Sequence, residues 1–184
     1  MKKALTILFV LTVAAGWAQA GESFHIRFTG NLLMPADSGY KDVYGKSLFY
    51  PELKAGYALS ADFYVWAGYG FVNKKGETPV LKLEAESTQS FVSLGLGYGG
   101  PVSDALGCFV ELGLVNAYYK EEAMGEKESG SVLGFRADLG LTYTVASPLF
   151  ISLEAGYIST SKKVNSVTIK PGGLKAGVGL GVRF

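Results

Sequence analysis

The sequence predicts an all-β chain, folded as an eight-stranded antiparallel up-and-down transmembrane β-barrel. Three observations carry this. The final stretch, Gly173 to Phe184, alternates strictly. Leu174, Ala176, Val178, Leu180, Val182 and Phe184 are apolar, and Lys175, Gly177, Gly179, Gly181 and Arg183 between them are small or charged. A period of two is a strand with two unlike faces. Comparable runs recur along the chain, joined alternately by long polar connections and short tight turns. The apolar faces also sort their aromatic residues. Tyr57, Phe63, Tyr98, Tyr143 and Phe184 fall beside the short turns or the C-terminus, and Phe49, Tyr69, Phe71, Phe135 and Tyr157 beside the long connections. Two aromatic belts suit a barrel crossing a bilayer, and a soluble sandwich has no reason to build them.

Residues 1–20 read as a cleaved signal peptide. Lys2 and Lys3 form a positive start, Leu5 to Ala15 an apolar core, and Ala18-Gln19-Ala20 a cleavage site. Residues 21–184 then form one outer-membrane β-barrel domain. No later stretch holds the roughly 18 uninterrupted apolar residues of a membrane helix. Lys and Arg number 17 against 16 Asp and Glu, so nothing implies a nucleic-acid partner. A single cysteine, Cys108, excludes an internal disulfide, and a single histidine leaves no metal-ligand cluster. No cofactor or metal is expected.

The elements follow in order. Phe24 to Leu33 is the first strand, with Phe24, Ile26, Phe28 and Leu32 on one face and His25, Arg27, Thr29 and Asn31 on the other. Met34 to Ser47 reads as a polar loop. Leu48 to Ala58 is the second strand, and Pro51 within it predicts a bulge or a loop-side position, because proline donates no ladder bond. Leu59 to Asp62 is a tight turn into the third strand, Phe63 to Phe71. Asn73 to Ser87 is a long connection whose alternating Val80 to Glu84 suggests strands projecting beyond the membrane. Thr88 to Tyr98 and Leu106 to Tyr119 are the fourth and fifth strands, joined by a short turn. Lys120 to Ser131 reads as the most charged loop. Val132 to Val145 is the sixth strand, Ala146-Ser147-Pro148 a tight turn, and Leu149 to Tyr157 the seventh strand. Ser159 to Gly172 is a basic loop leading into the eighth strand. Three short turns then face the periplasm and four long loops the outside.

Glycine and charge dominate the inward positions. An eight-stranded barrel has just enough interior for side chains. Arg27, Glu52, Lys54, Glu111, Arg136, Asp138, Glu154, Lys175 and Arg183 all point inward in this register. Their signs nearly match, and buried charges must be paired. They read as a salt-bridge network plugging the lumen. The alternative is a charge-lined pore, but a selective pore should carry an excess of one sign.

Little invites a catalytic reading. His25 faces inward near the periplasmic end, where a hydrogen-bonding role competes with that of a general base. Cys108 falls on the lipid face, where a small hydrophobe is the simpler reading than a nucleophile. Asp37-x-Gly39 and the acidic third loop lack the spacing of a calcium-binding loop. The chain is not expected to be an enzyme.

The signal ending Ala18-Gln19-Ala20, the Gly-Tyr strand ends (Gly56-Tyr57, Gly68-Tyr69, Gly97-Tyr98, Gly156-Tyr157) and the terminal Gly181-Val182-Arg183-Phe184 resemble the small outer-membrane β-barrel proteins of Gram-negative bacteria, the OmpX/Ail-like, OmpA-type and opacity-like barrels. The resemblance implies an integral outer-membrane location and contact with outer-membrane lipid and lipopolysaccharide. It also implies a C-terminal strand read by the barrel-assembly machinery, a role that would fall on Leu180, Val182 and Phe184. Relatives divide among surface-interaction proteins, OmpW-like channels for small hydrophobic molecules and a few lipid-modifying enzymes. The reading favoured here is a monomeric structural or surface-interaction barrel, with a narrow porin or OmpW-like channel as the alternative and an enzyme third. Lys162, Lys163 and Lys170 in the basic loop suit lipopolysaccharide phosphates, or are simply solvated charge.

Overall fold

Alternating runs become registered strands. The computed structural model describes residues 23–78, 82–123, 126–164 and 167–184, without the side chains of residues 123, 126, 162–164 and 167–169. The signal-peptide stretch 1–20 and Val80 and Leu81 therefore lie outside the described residues. The elements are β1 (Phe24–Pro35), α1 (Ser38–Tyr44), β2 (Leu48–Ala58), β3 (Phe63–Glu77), β4 (Glu84–Pro101), β5 (Leu106–Ala123), β6 (Glu126–Ala146), β7 (Leu149–Thr160), β8 (Lys162–Val164), β9 (Val167–Ile169) and β10 (Gly173–Arg183). Eight strands close in the order β1-β10-β7-β6-β5-β4-β3-β2, and β8 and β9 form a separate hairpin. Every barrel pairing is antiparallel. The barrel shuts where β1 meets β10, in a ladder running from His25↔Arg183 to Pro35↔Gly173. Closure removes the open edge within the membrane-spanning part; beyond Glu52↔Gly70 and Gly134↔Thr160 the extensions of β3 and β6 pair on one side only, with β4 and β5.

Three connections differ from their sequence reading. The stretch read as a polar loop after β1 contains α1. Asp37 caps it, its carboxylate accepting from Tyr40 N at 3.0 Å, and Gly45 ends it at φ 100°, a left-handed conformation that favours glycine. The stretch read as the most charged loop is mostly strand. β5 and β6 stay paired through Ala123↔Glu126, and charge on their outer face reflects solvent rather than irregular backbone. The basic loop before β10 carries the β8–β9 hairpin. Pro51 makes no bulge. It pairs with Gly30 of β1 and stands one residue past the last β2–β3 pair, Glu52↔Gly70.

Polarity inverts along the strands. Over one stretch the outer face is apolar and exposed (Leu94 66 %, Leu133 67 %, Phe135 69 %). At about 3.4 Å per residue and a tilt of about 40°, Phe63 to Phe71 covers about 20 Å of height, comparable with the roughly 25 Å apolar band of a membrane barrel. Towards the long connections the outer face turns polar, at Asn73 and Lys75 on β3, Ser90, Thr88 and Glu86 on β4, Asn116 on β5, and Ser131 and Ser129 on β6. The inner face turns apolar at the same place, with Val72, Phe91, Val115, Val132 and Ile158 buried. On seven of the eight barrel strands, all but β10, the crossing is an apolar doublet, one residue out and one in: Leu32-Leu33, Leu48-Phe49, Phe71-Val72, Phe91-Val92, Leu114-Val115, Val132-Leu133 and Tyr157-Ile158. Above the doublets the barrel is built like a soluble one, with water outside and an apolar core inside.

Candidate functional site: a filled lumen in three levels

The inward face holds three successive levels. At the long-connection end is an apolar core that includes Leu33, Leu48, Tyr50, Val72, Phe91, Val115 and Ile158, with α1 laid against it. Tyr44 of α1 is buried, Tyr40 and Val43 pack on the same cluster, and Tyr40 Oη donates to Ser87 Oγ at 3.1 Å. Burial of the Tyr40 phenol pushes its pKa up to about 12, so it stays a donor at neutral pH. Gly76 of β3 is what lets α1 come this close, since a Cβ there would overlap the carbonyl oxygen of Val43.

The middle level is ionic. Four cations, Arg27, Lys54, Arg136 and Lys175, meet four anions, Glu52, Glu111, Asp138 and Glu154, and all eight side chains are buried. Arg27 Nη2 donates to both oxygens of Glu111 at 2.9 and 3.0 Å and lies 3.3 Å from Glu154. Lys54 Nζ donates to Glu111 at 2.6 Å and to Asp138 at 2.9 Å. Arg136 forks between Glu52 and Asp138 and also donates to Ser93 Oγ at 3.0 Å. Lys175 Nζ donates to Glu154 at 2.7 Å and to Glu52 at 2.9 Å, with Asp138 at 3.2 Å. Each ion faces two or more opposite partners, and the charges cancel. Shared partners of this kind are what make buried ions tolerable.

Aromatic rings complete the filling, a contribution the sequence reading credited to long charged side chains alone. Trp66 lies over Gly95 and Gly113, in space a Cβ at either position would take. Its ring centroid is 5.0 Å from Arg136 Cζ and 5.2 Å from Lys54 Nζ. Tyr50 and Tyr64 donate from their hydroxyls to Glu52 and Glu111, at 3.2 and 3.0 Å. The inward parity of these rings was legible, but their role as packing partners of the ions was not.

The third level, at the short-turn end, is a cavity. It is lined in part by His25, Arg27, Tyr64, Thr142, Phe150 and Arg183. Arg183 stands apart from the ionic level. It is half-buried, donates to Thr142 Oγ1 at 3.1 Å, and holds its guanidinium 4.7 Å from the Phe150 ring centroid. His25 meets the Tyr64 ring edge-on at 5.1 Å. It is the only histidine in the chain, and it lines this inner cavity. Cys108 is exposed on the outer face. Leu180 points outward, and Val182 and Phe184 are half-buried at the end of β10. Lys170 is exposed; Lys162 and Lys163 lie on β8, with their side chains outside the described residues. Among the described residues no three His, Cys, Asp or Glu side chains are placed so that they could hold a metal ion.

A family model described as outer membrane protein beta-barrel domain matches residues 5–184. No curated protein matches by sequence. Among solved structures, OprG of Pseudomonas aeruginosa superposes with a TM-score of 0.70 at 16 % identity, covering 88 % of this chain and 95 % of OprG. Neisserial surface protein A gives 0.66 at 13 %, covering 88 % and 97 %. The attachment invasion locus protein Ail of Yersinia pestis gives 0.56 at 20 %, again covering 88 % and 97 %. At these identities the likeness is one of fold.

The ionic level makes a stability prediction. Glu52→Gln strips a shared carboxylate from Arg136 and Lys175 and should cost about 3–5 kcal/mol, as breaking a buried pair does. Arg183→Gln removes no ion pair and should cost about 1 kcal/mol. Urea unfolding of both variants in lipid vesicles checks the difference, and equal losses would contradict the ionic level as drawn.

Proposed function

The chain belongs to the outer membrane protein beta-barrel domain family, and from that premise we propose that it is a barrel closed to permeation, serving the outer membrane structurally or through its surface extensions. The filling of the lumen at successive levels is the observation that carries the reading. An apolar core under α1 and a charge-balanced layer beneath it, with all eight ionic side chains buried, support a closed lumen, and the layer has no excess of one sign to select an ion. What reaches the medium is then the set of extended hairpins, held rigidly by the barrel, and rigidly held surface segments are where binding roles concentrate. In this reading the protein does no chemistry of its own and acts as a monomer in adhesion, interaction or envelope integrity.

The same proposal covers biogenesis and the lipid partner. Residues 1–20 direct export and are removed, and Leu180, Val182 and Phe184 are read by the barrel-assembly machinery. Lys162, Lys163 and Lys170 contact lipopolysaccharide phosphates from the basic connection between β7 and β10.

Two measurements test this. Planar-bilayer recording of the refolded barrel, with a liposome-swelling control, should give a flat baseline. Steady ohmic steps would overturn the closed lumen and favour a narrow channel. Charge reversal of Lys162, Lys163 and Lys170 to glutamate should lower retention of the folded protein on immobilised lipopolysaccharide at moderate salt; unchanged retention would remove these lysines from the contact.

A further inference from the structure

The cavity at the short-turn end, periplasmic in this family's orientation, has no part in the reading above. Its volume is about 360 Å³. On the closed-lumen reading it is blind, because Arg27 on its wall belongs to the ionic level behind it. Its walls combine two kinds of surface. Phe109, Phe150 and Tyr64 supply aromatic faces, and His25, Arg27 and Arg183 supply nitrogen donors.

The donors converge through the barrel seam. His25 and Arg183 are register partners on β1 and β10, both lining the cavity, and Arg27 is two residues further along the inner face of β1. Arg27 is ion-paired through Nη2, but its buried Nε has no acceptor among the described residues. Arg183 takes part in no ion pair among the described residues, and one of its five N–H donors is spent on Thr142. Asp104 is the carboxylate along this wall, and it sits exposed on the β4–β5 turn. An uncompensated guanidinium, resting on an aromatic ring in a recess with low-dielectric walls, attracts anions. A planar fork favours a carboxylate in particular.

We propose that this vestibule binds a small organic carboxylate from the periplasm, the carboxylate held by Arg183 with Arg27 Nε beside it, and an apolar or aromatic body lying against Phe150 and Tyr64. The site would make the barrel a periplasmic binder as well as a surface protein. It needs no passage through the wall.

Calorimetric titration of the refolded chain in zwitterionic nanodiscs tests this, with benzoate, inorganic phosphate and benzylamine as probes. Benzoate should bind saturably at one site, with a Kd on the order of 1 mM. Arg183→Gln should weaken it by about tenfold or more, the scale of one charge-assisted hydrogen bond. Ala105→Trp, which narrows the cavity from its turn and keeps every charge, should weaken it as well and keeps the test open if the Arg183 variant does not refold. Phosphate should bind more weakly, and benzylamine not at all. Absence of saturable benzoate binding, equal binding by both variants, or equal binding of benzylamine would overturn the site. Phosphate binding as tightly as benzoate would overturn the assignment to an organic carboxylate.

Discussion

Backbone groups facing lipid must find partners within the protein, and most of this structure follows from that. Lipid offers no hydrogen bonds, so a sheet spanning it cannot keep an open edge. β1 therefore pairs with β10 along an unbroken ladder, and the start of β1 meets the last residue, with Phe24 N donating to Phe184 O at 3.1 Å and Phe184 N to Phe24 O at 2.7 Å. Closure fixes which residues point inward. With eight strands the enclosed space is narrow, so the inward residues must fill one another's gaps.

A second consequence is that the barrel lies in two solvents, and its two faces exchange polarity where the solvent changes. Within lipid, Leu94, Leu112 and Leu139 face out while Arg136, Glu52 and Lys175 face in. The ions persist there because they neutralise one another; a missing member would leave a charge that neither lipid nor water could relieve. Beyond the apolar belt, water takes the outer face and the driving force changes to apolar burial. The core of Phe91, Val115 and Ile158 under α1 is the result. One closed sheet thus carries a charge-filled middle and an oil-filled top.

The period-two runs made the strands and their inner and outer faces legible, because alternation is a direct consequence of the pleat. The strands' full length was less legible. Glu121, Glu122 and Glu128 read as loop by charge, yet they continue the β5–β6 ladder: Glu122 pairs with Lys127 on the outer face, where water tolerates charge, and Glu121 pairs with Glu128 on the inner parity. The apolar top was missed although its signal is present, since the alternation slips phase at doublets such as Phe71-Val72 and Val132-Leu133. The α1 helix was hidden by its length: seven residues are too few to show helical periodicity, and only the Asp37 cap and Gly45 stop mark it. Inward direction of the charged residues could be read from parity, but who pairs with whom depends on shear between distant strands. Lys54 meets Asp138 across 84 positions, and Arg183, of the same parity, lies at another height with Phe150 and Thr142.

The exchange of polarity along the strands is tested most directly by depth-scanning β4. Nitroxide labels would be placed one at a time at the outward positions Glu86, Thr88, Ser90, Val92, Leu94 and Leu96, in a Cys108→Ser background, with the protein in bilayers. Accessibility to oxygen and to a water-soluble nickel chelate would be read by electron paramagnetic resonance. The account predicts oxygen-dominated values from Leu96 to Val92, chelate-dominated values from Ser90 to Glu86, and a crossover between Val92 and Ser90. Lipid-like values continuing to Glu86, or chelate access at Leu94, would contradict it.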